Sequence, residues 1–332
     1  MSVLSVRDLH ITYHTGRGGA PAVRGVNFDI ERGEVLGLAG ESGCGKSTIA
    51  GAIIRLLPDK TKIAGEILLE GKSVLDMKPG QLRAARWNEA SIVFQGAMHA
   101  LNPVTSIGDQ IIEAIVTHDP GSTKTAPAKA AKLLEQVGLS GRRIDDYPHR
   151  LSGGQKQRVM IAMALACDPA LVIADEPTTA LDVMVQAQVL SLLADLQREL
   201  GLSMLFITHD LSVLVEVADR IDVMYAGQIV EEGPAGDVFT SPVHPYTKAL
   251  AGAYPLIGDR IYRGNPTGLA GDPPDPEDIP SGCAFHPRCA EAFGPCPTTI
   301  PSLAPSHDGR ASACLLIEGA DPGATTSEEV SS

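Results

Sequence analysis

The chain has 332 residues, 44% of them hydrophobic and 20% charged, and a formal net charge of −13. This length is enough for a full hydrophobic core with a smaller second unit. The acidic excess argues against nucleic acid as the main partner, because phosphate binding needs a local surplus of Lys and Arg and no run of them stands out. No apolar run approaches the roughly 20 residues that cross a bilayer, and the first residues lack the apolar core of a signal peptide, so we expect a protein of the cytoplasm.

Up to about residue 233, short β-rich runs alternate with longer helical stretches. Such alternation predicts an α/β domain around a mixed or parallel sheet. The predicted strands are VLSVRDL, EVLGLAG, GEILLEG, ASIVFQ, ALVIAD, SMLFITHD and DVMYAGQIVEEG. The predicted helices are STIAGAIIRLL, IGDQIIEAIVTH, APAKAAKLLEQVGL and VMVQAQVLSLLADLQREL. The last helix places its aliphatic residues largely on one face, formed by Val183, Val185, Val189, Leu190, Leu193 and Leu196.

Two stretches depart from this alternation. Strand signals vanish between Gly96 and Arg150, which predicts a helical insertion in the α/β domain. Twelve of the 24 prolines lie after residue 254, so the C-terminal part can hold little regular structure. The predicted domains are therefore an α/β domain at 1–255 with its insertion at about 96–165, a Pro-rich domain with four cysteines at 256–318, and a polar, disordered tail at 319–332.

The segment GESGCGKST, from Gly40 to Thr48, fits the phosphate-loop pattern G-x-x-x-x-G-K-[ST]. It follows an apolar strand and opens a helix, a context that disfavours a chance glycine-rich turn. We expect Lys46 to reach the β- and γ-phosphates of a nucleotide and the Ser47 hydroxyl to bind Mg²⁺. Cys44 is interpreted as a small residue in an unrestricted position rather than as a redox group. The predicted nucleotide-binding residues of the loop are Gly40, Ser42, Gly43, Cys44, Gly45, Lys46, Ser47 and Thr48.

A second acidic motif lies at LVIADEP, where four apolar or small residues lead into Asp175 and Glu176. Carboxylates at a strand end lie where an open α/β sheet places its ligands. We expect Asp175 to hold the magnesium through water and Glu176 to polarise the attacking water as a general base. A solvated pair of strand-end carboxylates is the alternative, and the loop at Gly40 argues against it.

The segment LSGGQKQRVMIAMALACDP, from Leu151, resembles the signature of ABC-type ATPases. Further marks of that family stand in its order: Tyr13 near the start, Gln95 at the end of ASIVFQ, Asp182 at the end of TTALD and His209 in FITHD. The resemblance implies an α/β fold of the ABC-type P-loop ATPase with a helical insertion, and a small irregular Cys-rich C-terminal domain.

The same resemblance implies a pair of subunits that share ATP, with the signature of one subunit addressing the γ-phosphate held by the other. Gln95 would link Mg²⁺ to the helical insertion, and His209 would contact the γ-phosphate, so both join Glu176 as catalytic residues. Tyr13 would stack on adenine. A half-buried strand aromatic is the alternative for Tyr13, and an exposed strand-end histidine for His209. The residues that would contact the partner's ATP are Ser152, Gly153, Gly154, Gln155 and Asp182.

A closer likeness is to the ATPase subunits of dipeptide and oligopeptide importers, from near residue 3 to about 315, through VFQGAMHALNP, YPHRLSGGQ, HPYTKAL and the cysteine-bearing tail. It implies ATP hydrolysis that powers peptide import; a nickel or other small-solute importer is the alternative, and a non-transport ABC ATPase a weaker one. Gly96, the pair His99–Ala100 and Arg150 depart from the family pattern near the surface expected to meet membrane subunits.

This likeness also implies partners. They are a second ABC ATPase subunit, giving a heterodimer, two transmembrane permease subunits, and an external solute-binding protein that acts through the permeases. The chain would then be a peripheral subunit on the cytoplasmic side of the inner membrane. Nucleic acid is not among the expected partners.

Four cysteines of the Pro-rich segment have the spacing C-x5-C-x6-C-x17-C. Structural zinc sites usually carry paired C-x2–4-C knuckles, whereas iron–sulfur clusters accept more varied spacing. Spacing alone leaves both metal binding and unligated thiols open. The family resemblance implies a [4Fe–4S] cluster, with Zn²⁺ as the alternative and His286 or His307 as substitute ligands, while Cys167 is expected only to be packed. The four predicted cluster ligands are Cys283, Cys289, Cys296 and Cys314.

Overall fold

The computed structural model describes residues 2–16, 18–94, 96, 100–179, 181–253, 269, 271–306 and 309–318. Its strands are β1 (Ser2–Thr15), β2 (Gly18–Glu31), β3 (Val35–Ala39), β4 (Lys62–Leu69), β5 (Lys72–Ser73), β6 (Ala90–Val93), β7 (Leu171–Asp175), β8 (Ser203–Thr208), β9 (Arg220–Tyr225), β10 (Gln228–Pro234), β11 (Ala304–Pro305) and β12 (Ala311–Ser312). Its α-helices are α1 (Lys46–Ile53), α2 (Pro79–Asn88), α3 (Ile107–His118), α4 (Ala126–Gln136), α5 (Gly153–Ala164), α6 (Val183–Leu200), α7 (Leu211–Val217), α8 (Ala235–Thr240), α9 (Pro245–Ala253) and α10 (Leu315–Glu318). Within the described ranges, no helix combines the length and the apolar character needed to span a bilayer.

The larger sheet has the strand order β11–β12–β10–β9–β3–β8–β7–β6. The strands from β9 to β6 run parallel, and β10, β12 and β11 continue the sheet in antiparallel pairs. Parallel strands end at one edge of a sheet, so the segments that follow β3, β7 and β8 lie side by side there. This mixed sheet confirms the predicted α/β fold.

Strands β3, β7 and β8 are apolar along most of their length because both faces of the sheet are covered. In β3, Leu36 and Leu38 face one hydrophobic core, whereas Val35 and Ala39 face the other. The first core lies between the two sheets and contains the buried residues of α1. The second contains buried residues of the helices α3 to α9. Full burial of one large aliphatic side chain contributes about 1.5–3 kcal/mol, so these two cores hold the sheet edge in place.

A second sheet, not anticipated from the sequence, is antiparallel and has the order β2–β1–β4–β5. Strands β1 and β2 each run for 14 residues and pair along most of that length. The segment GGAPAVRG at the start of β2 hides the strand, because Gly and Pro interrupt the β-rich pattern that the prediction relies on. The apolar face of this sheet covers α1.

Helix α6 begins and ends where the sequence predicts, at Val183 and Leu200. Four of the residues assigned to its inner face are buried, but Val183 is 65% exposed. The reason is its position directly after the N-cap residue Asp182, where the helix has not yet reached the core. Helices α3 and α4 lie in the stretch predicted as a helical insertion.

The expectation of a separate, small Cys-rich C-terminal domain finds no support. Strand β12 pairs with β10 through Glu231 and Ser312, and β11 pairs with β12, so this part of the chain completes the edge of the larger sheet. Phe285 is 3% exposed and belongs to the same hydrophobic core as helices α3 to α9. The predicted boundaries at 255 and 318 stay predictions, and the tail at 319–332 lies outside the described residues.

The acidic residue Asp222 is buried in the middle of the larger sheet without a hydrogen bond to its carboxylate among the described residues. It lies on β9 and is 0% exposed. Arg220 lies 3.8 Å away, and Glu232 stands opposite on β10. Burial raises the pKa of Asp222 to about 8, the negative charges of Glu232 and Glu34 add to the increase, and Arg220 opposes it. The carboxyl is therefore neutral over much of the ordinary pH range.

This burial predicts a pH-dependent effect of Asp222→Asn. The folded-state pKa lies above the unfolded value, so the contribution of Asp222 to stability is fully present below about pH 4 and is lost as the pH rises toward 8. Asn does not titrate. We expect the variant to gain at least about 1 kcal/mol in free energy of unfolding, relative to wild type, between pH 5 and pH 8.5. Urea denaturation across this range measures the effect, with the exposed Asp237→Asn as control; parallel profiles for wild type and Asp222→Asn would contradict it.

Candidate functional site

The loop between β3 and α1 is shaped by backbone that leaves no room for side chains. Gly40 and Gly45 have φ of 147° and 111°, and Gly45 caps the N-terminus of α1. A Cβ at Gly40 would lie 2.2 Å from the Met224 carbonyl oxygen, and one at Gly45 would lie 2.3 Å from the Ala22 carbonyl oxygen. Only glycine allows this curvature. The loop thus forms a cup whose N–H groups and helix N-terminus suit an anion.

Lys46 lies along the inside of this cup. Its side chain is buried, and Nζ donates hydrogen bonds to the carbonyl oxygens of Gly40, at 2.6 Å, and of Glu41, at 2.9 Å. Both of these acceptors are neutral, and Nζ also lies 3.6 Å from Cys44 Sγ. This is the cation that the sequence predicts for the phosphates.

Ser47 and Asp175 meet as the sequence predicts. The Ser47 hydroxyl donates a hydrogen bond of 3.0 Å to Asp175 Oδ1, which joins the start of α1 to the end of β7. Burial raises the pKa of Asp175, and the hydrogen bond from Ser47 acts against that increase. Hydroxyl and carboxylate oxygens are the hard donors that Mg²⁺ prefers, so this pair fits the expected ion.

Glu176 and His209 come together at the neighbouring strand ends. His209 Nδ1 lies 3.4 Å from Glu176 Oε1, and the Thr179 hydroxyl donates to Glu176 Oε2 at 2.8 Å. Glu176 has a φ of 46°, an unusual value for a non-glycine residue that often marks a functional position. Its carboxylate is therefore oriented by neighbours on both oxygens, as a general base requires.

Tyr13 reaches the far end of the phosphate loop from β1. Its hydroxyl donates a hydrogen bond of 3.1 Å to Thr48 Oγ1, so the half-buried ring lies beside the start of α1. This position is compatible with the predicted contact to the base of a nucleotide. Gln95, the other residue predicted on this edge, lies outside the described residues.

The signature residues form a second cluster at the start of α5. Ser152 caps this helix: its Oγ accepts from the Gln155 N–H, and Gln155 Oε1 accepts from the Ser152 N–H. Asp182 caps α6 and accepts from Val185 N–H at 3.0 Å. Val185 packs so close to Gly154 that a Cβ there would lie 2.3 Å from it. The predicted signature and Asp182 segment are thus joined, with two helix N-termini beside each other.

The cysteines of the C-terminal part are all free thiols. The pKa of Cys283 is raised by burial and, in addition, by the nearby thiols of Cys296 and Cys314. Among the described residues, no group of three or more His, Cys, Asp or Glu side chains meets the geometry of a metal-ion site. The predicted cluster therefore stays a prediction; His307 lies outside the described residues, and Cys167 is packed against the core as expected.

Sequence reasoning missed a contact between this C-terminal part and the phosphate loop. Arg288 donates to both carboxylate oxygens of Glu41, at 2.6 and 3.0 Å. The Tyr246 hydroxyl is the second missed partner and accepts from the Glu41 N–H at 2.9 Å. Tyr246 belongs to the HPYTKAL segment, whose likeness to the importer family was the only available signal. Glu41 occupies an unrestricted position of the loop pattern.

Comparison with known proteins agrees with this geometry. Residues 23–179 match the family described as ABC transporter, and residues 230–296 match the C-terminal region of oligopeptide/dipeptide transporters. The oligopeptide transport ATP-binding protein AppD of Bacillus subtilis (strain 168) is 45% identical, covering 96% of this chain and 97% of that protein. The dipeptide transport ATP-binding protein DppD of the same organism is 43% identical, covering 95% and 94% respectively.

A solved structure shares the fold. The dimeric, post-hydrolysis ATP-binding cassette MJ0796 bound to ADP and Pi is 30% identical, with a TM-score of 0.63, and covers 70% of this chain and 98% of its own. Fold and site together define an ATPase of the ABC class. The near-complete matches go further: the chain belongs to the family of ATP-binding proteins of oligopeptide and dipeptide ABC transporters.

The loop geometry predicts different costs for alanine at two of its glycines. Gly43→Ala and Gly45→Ala both place a side chain at positive φ, a cost of about 1–2 kcal/mol, but Gly43 has no atom within 4 Å of its Cβ position. Gly45→Ala adds the clash with a backbone oxygen that cannot move alone. We expect it to lower the free energy of unfolding by at least about 2 kcal/mol more than Gly43→Ala does. Urea denaturation of both variants tests this, and equal losses would contradict the clash.

Proposed function

We propose that this chain hydrolyses ATP at the cytoplasmic face of the cell membrane to power the import of di- and oligopeptides. The observation that carries the proposal is the arrangement at one edge of the larger sheet, where the buried Lys46, the Ser47–Asp175 pair and Glu176 converge. The relatives named for oligopeptide and dipeptide transport support the peptide class of solute.

The residues of this edge divide the binding of ATP between them. The loop N–H groups and Lys46 hold the β- and γ-phosphates, and the Tyr13 ring stacks on adenine. Ser47, Asp175 and Gln95 would hold Mg²⁺, which neutralises charge on the phosphate oxygens. The 3.0 Å hydrogen bond between the Ser47 and Asp175 oxygens supports a shared ion at that place.

Hydrolysis uses the residues at the ends of β7 and β8. Glu176 accepts a proton from the attacking water, a role typically worth about 10²–10⁴-fold in rate. Thr179 and His209 contact opposite oxygens of this carboxylate and keep it directed. His209 in addition contacts the γ-phosphate.

The signature cluster acts on the ATP of a second subunit. The N-termini of α5 and α6 offer N–H groups and partial positive charge, which suit a γ-phosphate that approaches from outside the chain. The dimeric state of the solved relative bound to ADP and Pi supports this pairing. The residues in this role are Ser152, Gly153, Gly154, Gln155 and Asp182, and we propose a homologous rather than identical partner.

We propose that an apolar cavity of about 430 Å³ is the docking site for a membrane subunit. It lies between the end of α1, the region of β6 and helix α5, and it includes the exposed side chains of Leu56 and Phe94. Exposed apolar patches of this kind mark interaction sites. Two permease subunits would dock here, one on each ATPase, and an external solute-binding protein would deliver the peptide to them.

The base assignment predicts the behaviour of Glu176→Gln. The amide keeps the shape of the side chain but cannot take a proton, so ATP binding should persist while turnover falls by about 10²-fold or more. ATPase rate and peptide uptake are measured on the complex assembled with its permeases, with the exposed Glu199→Gln as control. Unchanged turnover would contradict the role of Glu176. Uptake of nickel without uptake of peptides would contradict the proposed solute.

We further propose that the Pro-rich part, at about 256–318, carries a [4Fe–4S] cluster on its four cysteines. Two features support it: burial raises the pKa of Cys283, Cys289 and Cys314, with neighbouring thiols adding to the increase, and backbone N–H groups point at the sulfur atoms of these three and of Cys296. The resemblance to the peptide-importer family favours iron–sulfur, and Zn²⁺ is the alternative.

Metal analysis of protein purified without oxygen tests this proposal. We expect about four irons and four sulfides per chain, both lost in Cys289→Ser and retained in Cys167→Ser. One zinc per chain that is lost in Cys289→Ser would contradict the cluster and show a structural zinc site on the same cysteines. Absence of both metals from the wild type would overturn metal binding altogether.

A further inference from the structure

The side chain of Arg288 crosses from the C-terminal part to the phosphate loop. Its two Nη atoms donate to the two carboxylate oxygens of Glu41, at 2.6 and 3.0 Å. The Arg288 side chain is 7% exposed and the Glu41 side chain 21%. A bidentate, largely dehydrated pair of this kind is among the stronger polar contacts of proteins, and its fork geometry fixes direction as well as distance.

Glu41 is held from three directions at once. Arg288 holds its carboxylate, the hydroxyl of the fully buried Tyr246 accepts from its N–H, and its carbonyl oxygen accepts from Lys46 Nζ at 2.9 Å. The residue therefore lies between Arg288 and the ammonium that serves the phosphates. Displacement of Glu41 removes one of the two carbonyl acceptors that position Lys46.

The position of Arg288 is itself fixed by its surroundings. Phe285, three residues earlier, packs against Tyr225 and Tyr246 with ring centroids 5.2 and 5.4 Å apart. The Arg288 guanidinium lies over the Tyr225 ring, 5.9 Å from its centroid, and donates to the Gly271 carbonyl oxygen at 3.0 Å. The C-terminal part thus presents a preoriented guanidinium to the loop.

We propose that Arg288 is a positioning residue of the ATP site, which holds the phosphate loop in its binding conformation through Glu41. The inference rests on the proposed binding of ATP phosphates by the loop. The role assigned to Arg288 is to hold Glu41, not to contact the nucleotide. Its effect falls on the affinity for ATP, because the loop must otherwise be ordered at the expense of binding free energy.

Replacement of the guanidinium tests the role. Mg-ATP binding is measured by calorimetry on the full-length chain, and KM and kcat on the assembled transporter. We expect Arg288→Met to raise Kd and KM about tenfold, with kcat within twofold of wild type. The Kd and KM of Arg288→Lys should lie between those of wild type and Arg288→Met, because an ammonium keeps the charge but loses the bidentate geometry. The matched control is Lys248→Met, which removes an exposed ion pair with Glu291 that links the same C-terminal part to α9; its Kd should equal that of wild type.

A double-mutant cycle separates the contact from general destabilisation. Glu41→Gln keeps the shape of the loop residue and provides a test even if Arg288→Met folds poorly. Both substitutions remove the same contact between Arg288 and Glu41. The Kd of the double variant for ATP should therefore be no higher than that of the single variant with the higher Kd. Additive losses, wild-type affinity in Arg288→Met, or an equal loss in Lys248→Met would overturn the proposal.

A reference variant distinguishes a failure of the positioning role of Arg288 from a failure of the proposed phosphate site. Lys46→Ala should abolish measurable ATP binding. Retained binding in Lys46→Ala would refute the proposed phosphate site and the positioning role with it. Lost binding in Lys46→Ala together with wild-type affinity in Arg288→Met would refute the positioning role alone.

Discussion

The phosphate loop is wedged between the two sheets, and the rest of the site depends on that spacing. The carbonyl oxygens of Ala22 on β2 and Met224 on β9 lie where side chains at Gly45 and Gly40 would have to be. The curvature of the loop therefore reflects the distance between a strand of the smaller sheet and a strand of the larger one. The core around α1 sets that distance. Aliphatic packing far from any phosphate thus shapes the cup that holds Lys46.

Charge at the loop is arranged so that one cation is left for the ligand. Arg288 and Glu41 neutralise each other, whereas Lys46 Nζ contacts the neutral carbonyl oxygens of Gly40 and Glu41 and lies 3.6 Å from Cys44 Sγ. The contact from the C-terminal part therefore orders the loop and also offsets the negative charge of Glu41. In a chain of net charge −13, this local arrangement matters more for a polyanionic ligand than the overall sign does.

The sequence alone located the sites that are encoded in short motifs and missed the contacts between residues that are far apart in the chain. The phosphate loop, Asp175, Glu176 and the signature helix follow from short patterns, because each pattern contains its strand or helix context. Strand β2 was missed because glycine and proline interrupt it, and the two-residue strands β11 and β12 are too short to leave a pattern. Asp222 breaks an apolar strand without any local sign of its burial. The contact of Arg288 with Glu41 joins residues that no motif relates.

That contact joins residues 247 positions apart, which has a consequence for how the chain is made. At roughly 5–20 residues per second, a ribosome needs on the order of 12–50 s to pass from Glu41 to Arg288. During this interval the nascent chain contains the complete phosphate loop but lacks Arg288, the residue that holds Glu41 in place. The order of synthesis therefore delays the finished nucleotide site until almost the whole subunit has emerged.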